Sequence, residues 1–186
     1  IDLLAPADAA RAGAPYRLLR PGAYEDRFIR KQLAMTILFV CTGNTCRSPM
    51  AEAIAAALVA RPRSDIGAHV EVRIASAGTA ASVGTPVSAE AALAVRELGF
   101  VSSLASHRSR PLTRRAIADA DAIFTMSRSH LAALLDIEPG AESKAHTLDP
   151  QGGDVPDPIG QPQSVYTATA KRIHEMIALR FKELGI

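Results

Sequence analysis

Apolar and polar positions change character abruptly near the end of the first 33 residues. Residues 1–33 mix Ala, Pro, Arg and Gly without a sustained helical or strand period and read as an extension or linker, leaving 34–186 as the folded domain. Thr36-Ile37-Leu38-Phe39-Val40-Cys41 then runs apolar without alternation, the pattern of a strand buried on both faces in a parallel sheet. Thr42-Gly43-Asn44-Thr45-Cys46-Arg47-Ser48 makes a tight loop, and Pro49-Met50-Ala51-Glu52-Ala53-Ile54 opens a helix with Ser48 as N-cap and Pro49 in the first helical position. The alternation continues with a strand over Val70–Ala75, a helix over Ser88–Leu98 closed by Gly99, and a strand over Asp121–Met126. Ser127-Arg128-Ser129-His130 starts another helix, Lys144–Leu148 is a short strand, and Val165–Leu184 a long closing helix. Strands and helices in this order predict an α/β domain, a parallel sheet with helices on both faces and its site at the strands' carboxyl ends.

Composition narrows the class. A length of 186 residues allows one well-buried domain plus an extension, and an aromatic content of 4% leaves the core to Ala, Val, Ile and Leu. The longest apolar run, Ala53–Ala60, is far short of the roughly 18 residues of a membrane span, so neither a membrane segment nor a membrane partner is expected. A net charge of +2, with Lys and Arg dispersed, argues against a nucleic-acid surface. Both cysteines, Cys41 and Cys46, fall in one short segment rather than a disulfide framework, which fits a reducing, cytoplasmic setting. No His or Cys group has metal-ligand spacing, so neither a metal nor another cofactor is expected. The chain opens Ile1-Asp2-Leu3 without an initiator Met or secretory pattern, as a fragment of something longer would.

The chemistry concentrates in Cys41-x5-Arg47-Ser48 on the strand-to-helix turn. Amides curling at a helix N-terminus form an anion cradle, and a phosphate dianion fits it. The same helix end and the Arg47 guanidinium favour a thiolate at Cys41. Arg47 can hold two phosphoryl oxygens bidentately, and Ser48 can donate its hydroxyl to the sulfur. Gly43 and Asn44 suit unusual backbone dihedrals, and the Asn side chain can tie the loop to itself. A lone cysteine at a strand end is commonly a buried structural thiol; the complete loop favours the nucleophile. A nucleotide-binding loop would require Gly-x4-Gly-Lys-Ser/Thr, which is missing. Covalent catalysis also needs a proton donor, and Val155-Pro156-Asp157-Pro158 offers Asp157 on a stiff loop.

Val40-Cys41-Thr42-Gly43-Asn44-Thr45-Cys46-Arg47-Ser48-Pro49-Met50-Ala51-Glu52 resembles the signature loop of low-molecular-weight protein-tyrosine phosphatases. A late Asp157-Pro158, with Ser76-Ala77-Gly78-Thr79 and His107-Arg108-Ser109-Arg110 between, extends the likeness over about residues 35–184. The resemblance implies a four-stranded parallel sheet of flavodoxin-like order and a metal-free phosphatase acting on phosphorylated proteins. It also implies that Asp157 is the general acid and that Asn44, Ser76 and His107 support the phosphate loop. Tyrosine-specific members usually carry aromatics after Asp-Pro, whereas this chain has Ile159-Gly160. With Thr45 inside the loop, that resembles bacterial protein-arginine phosphatases, the polar Thr45 accommodating a guanidine or positioning the attacking water.

Phosphoarginine is thus the favoured substrate and phosphotyrosine the alternative. Tyr166 is expected in the core. Cys46 is either a protective disulfide partner for Cys41 or a small buried filler. More distant readings are a non-catalytic phosphoprotein-binding module, a thiol redox sensor, and an arsenate reductase, which would need cysteines after Cys46 that the sequence lacks. Arg17-Leu18-Leu19-Arg20-Pro21-Gly22-Ala23 resembles the closing stretch of threonylcarbamoyl-AMP synthase domains, as the tail of a fused domain would. The sequence leaves the oligomeric state open.

Overall fold

The computed structural model describes residues 2–3, 16–17, 34–60, 71–100 and 104–186. The chain forms two compact units, residues 1–35 with 61–73, and residues 36–60 with 74–186. In the first, β1 (Asp2–Leu3) and β2 (Tyr16–Arg17) pair antiparallel, Asp2 opposite Arg17. A ladder of two residues per strand is too short to show a period in the sequence. The stretch from Leu18 to Ala23 lies outside the described residues, as does Val70.

Apart from Met35, Val72 and Arg73, the second unit carries β3 (Met35–Cys41), α1 (Arg47–Val59), β4 (Val72–Gly78), α2 (Ala89–Glu97), α3 (Arg114–Asp119), β5 (Ala122–Thr125), α4 (Arg128–Ile137), β6 (Ala145–Thr147) and α5 (Gln163–Leu184). Its sheet is four-stranded, in the order β4-β3-β5-β6, with Phe39 opposite Phe124 and Thr125 opposite Thr147 in parallel register. The first strand of the sheet lies between the second and the third, so chain crossovers leave β3 in opposite directions. The predicted α/β sheet of flavodoxin-like order is therefore present, and the loop after β3 occupies the topological switch point where such sheets bind ligands.

Both faces of β3 are covered, which explains its unbroken apolar run. Leu38 and Val40 join Ile117, Ile123 and Leu134 in a core under α3 and α4. On the opposite face Phe39 packs on Phe124 with ring centroids 6.0 Å apart, and Arg180 of α5 lies over the Phe124 ring at 5.3 Å. Helices α1, α2 and α5 pack on one another on this side.

Ser88 and Ser127 cap α2 and α4, their hydroxyls accepting from the N–H groups of Ala91 and His130. Helix α1 differs from expectation: it starts at Arg47 with Cys46 in the capping position, and Ser48 lies inside the first turn. The α3 turn, capped by Thr113, was not anticipated; its six residues bury only Ile117. Among the described residues no helix is long and apolar enough to cross a membrane.

Candidate active site

The site grows from the junction of β3 with α1. Helix α1 has no side-chain cap, and Pro49 in its first turn has no N–H, so no capping oxygen occupies the amides that enter the helix. Cys41 Sγ lies at the start of this loop, 3 % exposed, 3.3 Å from the Asn44 N–H and 3.0 Å from Ser48 Oγ. Ser48 thus serves the sulfur rather than the helix cap.

Asn44 holds the loop in shape. Its φ of +55° is left-handed, the only positive φ among the described non-glycine residues. Its Nδ2 donates to Ser48 Oγ at 2.9 Å and Ser76 Oγ at 2.8 Å, and its Oδ1 accepts from the Arg110 N–H at 2.9 Å. Its carbonyl meets His107 Nε2 at 2.9 Å. Ser76 in turn donates to Glu52, whose other oxygen pairs with Arg110 at 3.1 Å, while His107 Nδ1 lies 3.7 Å from the same carboxylate. With the Asn44 amide protons fixed on two serines, the Ser48 hydroxyl has two acceptors in reach, Cys41 Sγ at 3.0 Å and the Ala77 carbonyl at 3.4 Å, the sulfur being the nearer.

Gly78 ends β4 against this loop. A Cβ there would stand 2.4 Å from the Thr42 carbonyl oxygen and 2.9 Å from the Asn44 nitrogen, so only glycine permits the approach.

Arg47 is buried, with Nη1 on the Val155 carbonyl at 3.1 Å and Nη2 on Asp157 Oδ2 at 2.5 Å. The Asp157 loop is itself anchored: the Val155 N–H bonds to the Met126 carbonyl at the end of β5, and Asp154 accepts from the Arg128 N–H at the start of α4. The Asp157 side chain is 41 % exposed, so a carboxylate that meets the loop arginine also meets solvent. Ile159 behind it is exposed, and its N–H turns back to Asp157 Oδ1.

The remaining loop residues point elsewhere. Cys46 Sγ is directed at Ser88 Oγ, 3.5 Å away, and at the Tyr166 hydroxyl, 3.9 Å away, and both cysteines are free thiols. Tyr166 is buried in α5 as expected, and burial and the neighbouring Cys46 push its hydroxyl above the usual tyrosine range. Thr45 is half-buried, its Oγ1 3.7 Å from Cys46 Sγ and 3.4 Å from where a Gly43 side chain would begin. Sequence reasoning did not single out His130, whose Nε2 lies 2.7 Å from Thr42 Oγ1. Nor did it identify Glu52, Arg110 or Gly78 individually, although they fall within or beside stretches read as landmarks. Burial, with the nearby Arg47 guanidinium, holds His130 below the usual histidine range against the opposing pull of Asp157 and Asp154. Among the described residues no three His, Cys, Asp or Glu side chains gather as a metal site.

A thiol met by an amide and a hydroxyl, a buried guanidinium and a partly exposed carboxyl form a set able to transfer a phosphoryl group through sulfur. Known proteins are similar to this chain in sequence and structure. A protein-arginine-phosphatase of Geobacillus stearothermophilus is 37% identical over 145 residues, 76% of this chain and 90% of its own. The Wzb low molecular weight protein-tyrosine-phosphatase of Salmonella typhi is 34% identical, over 71% and 82% of the two chains. The solved structure of the YwlE arginine phosphatase from Geobacillus stearothermophilus superposes with a TM-score of 0.70 at 33% identity, covering 81% of this chain and 93% of that one. Residues 36–185 match the family profile described as low molecular weight phosphotyrosine protein phosphatase, and the chain belongs to that family of cysteine phosphatases.

Proposed function

We propose that this enzyme removes phosphoryl groups from proteins through a phosphocysteine at Cys41, with protein phosphoarginine as favoured substrate. The observation that carries the mechanism is the convergence of the Asn44 N–H and the Ser48 hydroxyl on Cys41 Sγ, at 3.3 and 3.0 Å, beside the Arg47–Asp157 pair. Donors aimed at sulfur favour the thiolate as nucleophile in the first step and as leaving group in the second.

The thiolate attacks phosphorus as the bond to the leaving atom breaks, and Asp157 gives that atom a proton. Water then attacks the phosphocysteine, Asp157 takes its proton, and the thiolate departs from inorganic phosphate. An incoming phosphoryl group competes with Asp157 for the Arg47 fork, which releases the carboxyl to act as acid. Asn44, Ser76 and His107 keep the loop amides aimed, and Thr42, Gly43, Thr45 and Cys46 contribute its backbone. The domain doing this work is residues 34–186, its two free thiols suit the cytoplasm, and residues 1–33 are an extension to it.

The arginine assignment rests on Thr45 within the loop and on the exposed Ile159 where an aromatic platform would serve a phenyl ring. Relatives named for either activity keep phosphotyrosine as the second reading. Matched phosphoarginine and phosphotyrosine peptides, assayed with Cys41→Ser as blank, decide between them. A kcat/KM ratio of roughly tenfold or more for phosphoarginine is expected, a difference of about 1.4 kcal/mol in transition-state binding. A phosphotyrosine preference would discard the substrate assignment and keep the phosphatase; turnover surviving in Cys41→Ser would discard the mechanism.

A further inference from the structure

His130 lies 88 residues from Thr42 in sequence, yet its Nε2 sits 2.7 Å from Thr42 Oγ1. Its Nδ1 is 2.7 Å from Ser127 Oγ, which also accepts the His130 N–H as cap of α4 and lies 2.8 Å from Ser129 Oγ. Two proton arrangements satisfy this chain, and in the one that frees the Thr42 proton Ser129 donates to Ser127, Ser127 to Nδ1, and Nε2–H to Thr42 Oγ1. A hydroxyl that accepts from His130 keeps its own proton to donate. Thr42 directly follows the nucleophile and is exposed, whereas His130 is 6% exposed, so the relay ends at the mouth of the loop.

One further contact fixes Thr42. The Thr42 carbonyl accepts from the Ala80 N–H at 3.0 Å, which leaves the side chain as the second point fixing this residue. The charged groups acting on the imidazole are Arg47, Asp157 and Asp154. Burial and Arg47 push the His130 pKa below the usual histidine range, in the direction that favours the neutral ring of the relay. We propose that His130 is a positioning residue that holds the Thr42 hydroxyl as a hydrogen-bond donor to the phosphoryl group during transfer. The inference rests on the phosphatase reading of this loop.

The test is a cycle of Thr42→Val, His130→Leu and the double variant, with His130→Gln as a replacement whose amide can still donate to Thr42. Each protein is assayed for kcat and KM on an aryl phosphate, for vanadate affinity, and for Tm. Each single substitution is expected to lower kcat/KM roughly tenfold, mainly in kcat, with vanadate weakened in parallel. The double variant should be no worse than the poorer single, and His130→Gln should recover most of the loss. Losses that multiply in the double variant, a silent Thr42→Val, or His130→Gln as poor as His130→Leu would each overturn the relay. Thr42 is exposed, so its variant reports even if His130→Leu unfolds. Wild-type turnover no greater than that of Cys41→Ser would instead sink the phosphatase reading, and vanadate affinity unchanged across the cycle would still overturn the relay.

Discussion

Asn44 shows how one side chain can fix a reactive loop. A left-handed φ costs an ordinary residue about 1–2 kcal/mol, and asparagine bears it better than most because its short amide bonds locally. Here the amide and the backbone carbonyl tie Asn44 to Ser48, Ser76, Arg110 and His107, each bond worth about 0.5–1.5 kcal/mol net. The conformation is over-determined. His130 offers a residue-scale test through pH. Its folded pKa lies below the ordinary value of 6.5, so the unfolded chain binds a proton that the folded ring refuses. The stabilisation is complete above the unfolded value and is lost as pH falls toward the lowered folded one. Between about pH 8 and about pH 5.5 the wild-type Tm should therefore drop further than that of His130→Gln, which has no such proton to take up. Parallel pH profiles would remove the buried neutral imidazole from the account.

Secondary-structure elements meet at the loop with little room to spare. Strand β4 ends on Gly78, whose N–H bonds to the Arg110 carbonyl at 3.0 Å and whose carbonyl accepts from the Leu112 N–H at 2.8 Å. The strand end is thus clamped on one side while the loop backbone presses on the other. Gly78→Ala should force the loop aside, destabilising the protein by about 1–3 kcal/mol and lowering kcat on the order of a hundredfold through misplacement of the amides. Wild-type Tm and kcat in that variant would show that the loop yields freely. At this scale much was legible: buried strands read as apolar runs, Ser88 and Ser127 announced helices, and Gly99 follows α2 with a φ of +79°. Helix α3 was not legible because Arg114-Arg115-Ala116-Ile117-Ala118-Asp119 completes too few turns to show a stripe. The start of α1 was misread because Ser48 has the side chain of a cap, but the loop feeds the helix from Cys46 and draws that hydroxyl to the sulfur.

For the whole molecule, the sheet order sets the site where β3 has a neighbour on each side, so loops after β3, β4 and β5 all reach it. An oxyanion in the cradle binds only the folded state, where these loops are assembled, and must stabilise it by mass action. Inorganic phosphate at about 100 times its Kd should add about 2.7 kcal/mol to the unfolding free energy. The corresponding rise in Tm should vanish in Arg47→Ala. An equal rise in both proteins would place phosphate binding away from the loop.

The sequence by itself determined the central strand, the loop that leaves it and the residues able to attack and hold a phosphoryl group. These are properties of neighbours along the chain: strand period, turn chemistry and the Cys41–Arg47 spacing are written within a dozen positions. Tertiary structure decided which distant groups serve them. Arg47 meets Asp157 across 110 residues, Asn44 meets Arg110 across 66 and Thr42 meets His130 across 88. No periodicity encodes such meetings, because they follow from how β4, β5 and the Asp157 loop converge once both faces of β3 are buried. The same convergence turned His130, an ordinary helix residue in the sequence, into a neighbour of the reactive loop, and gave Glu52 its partners Ser76 and Arg110.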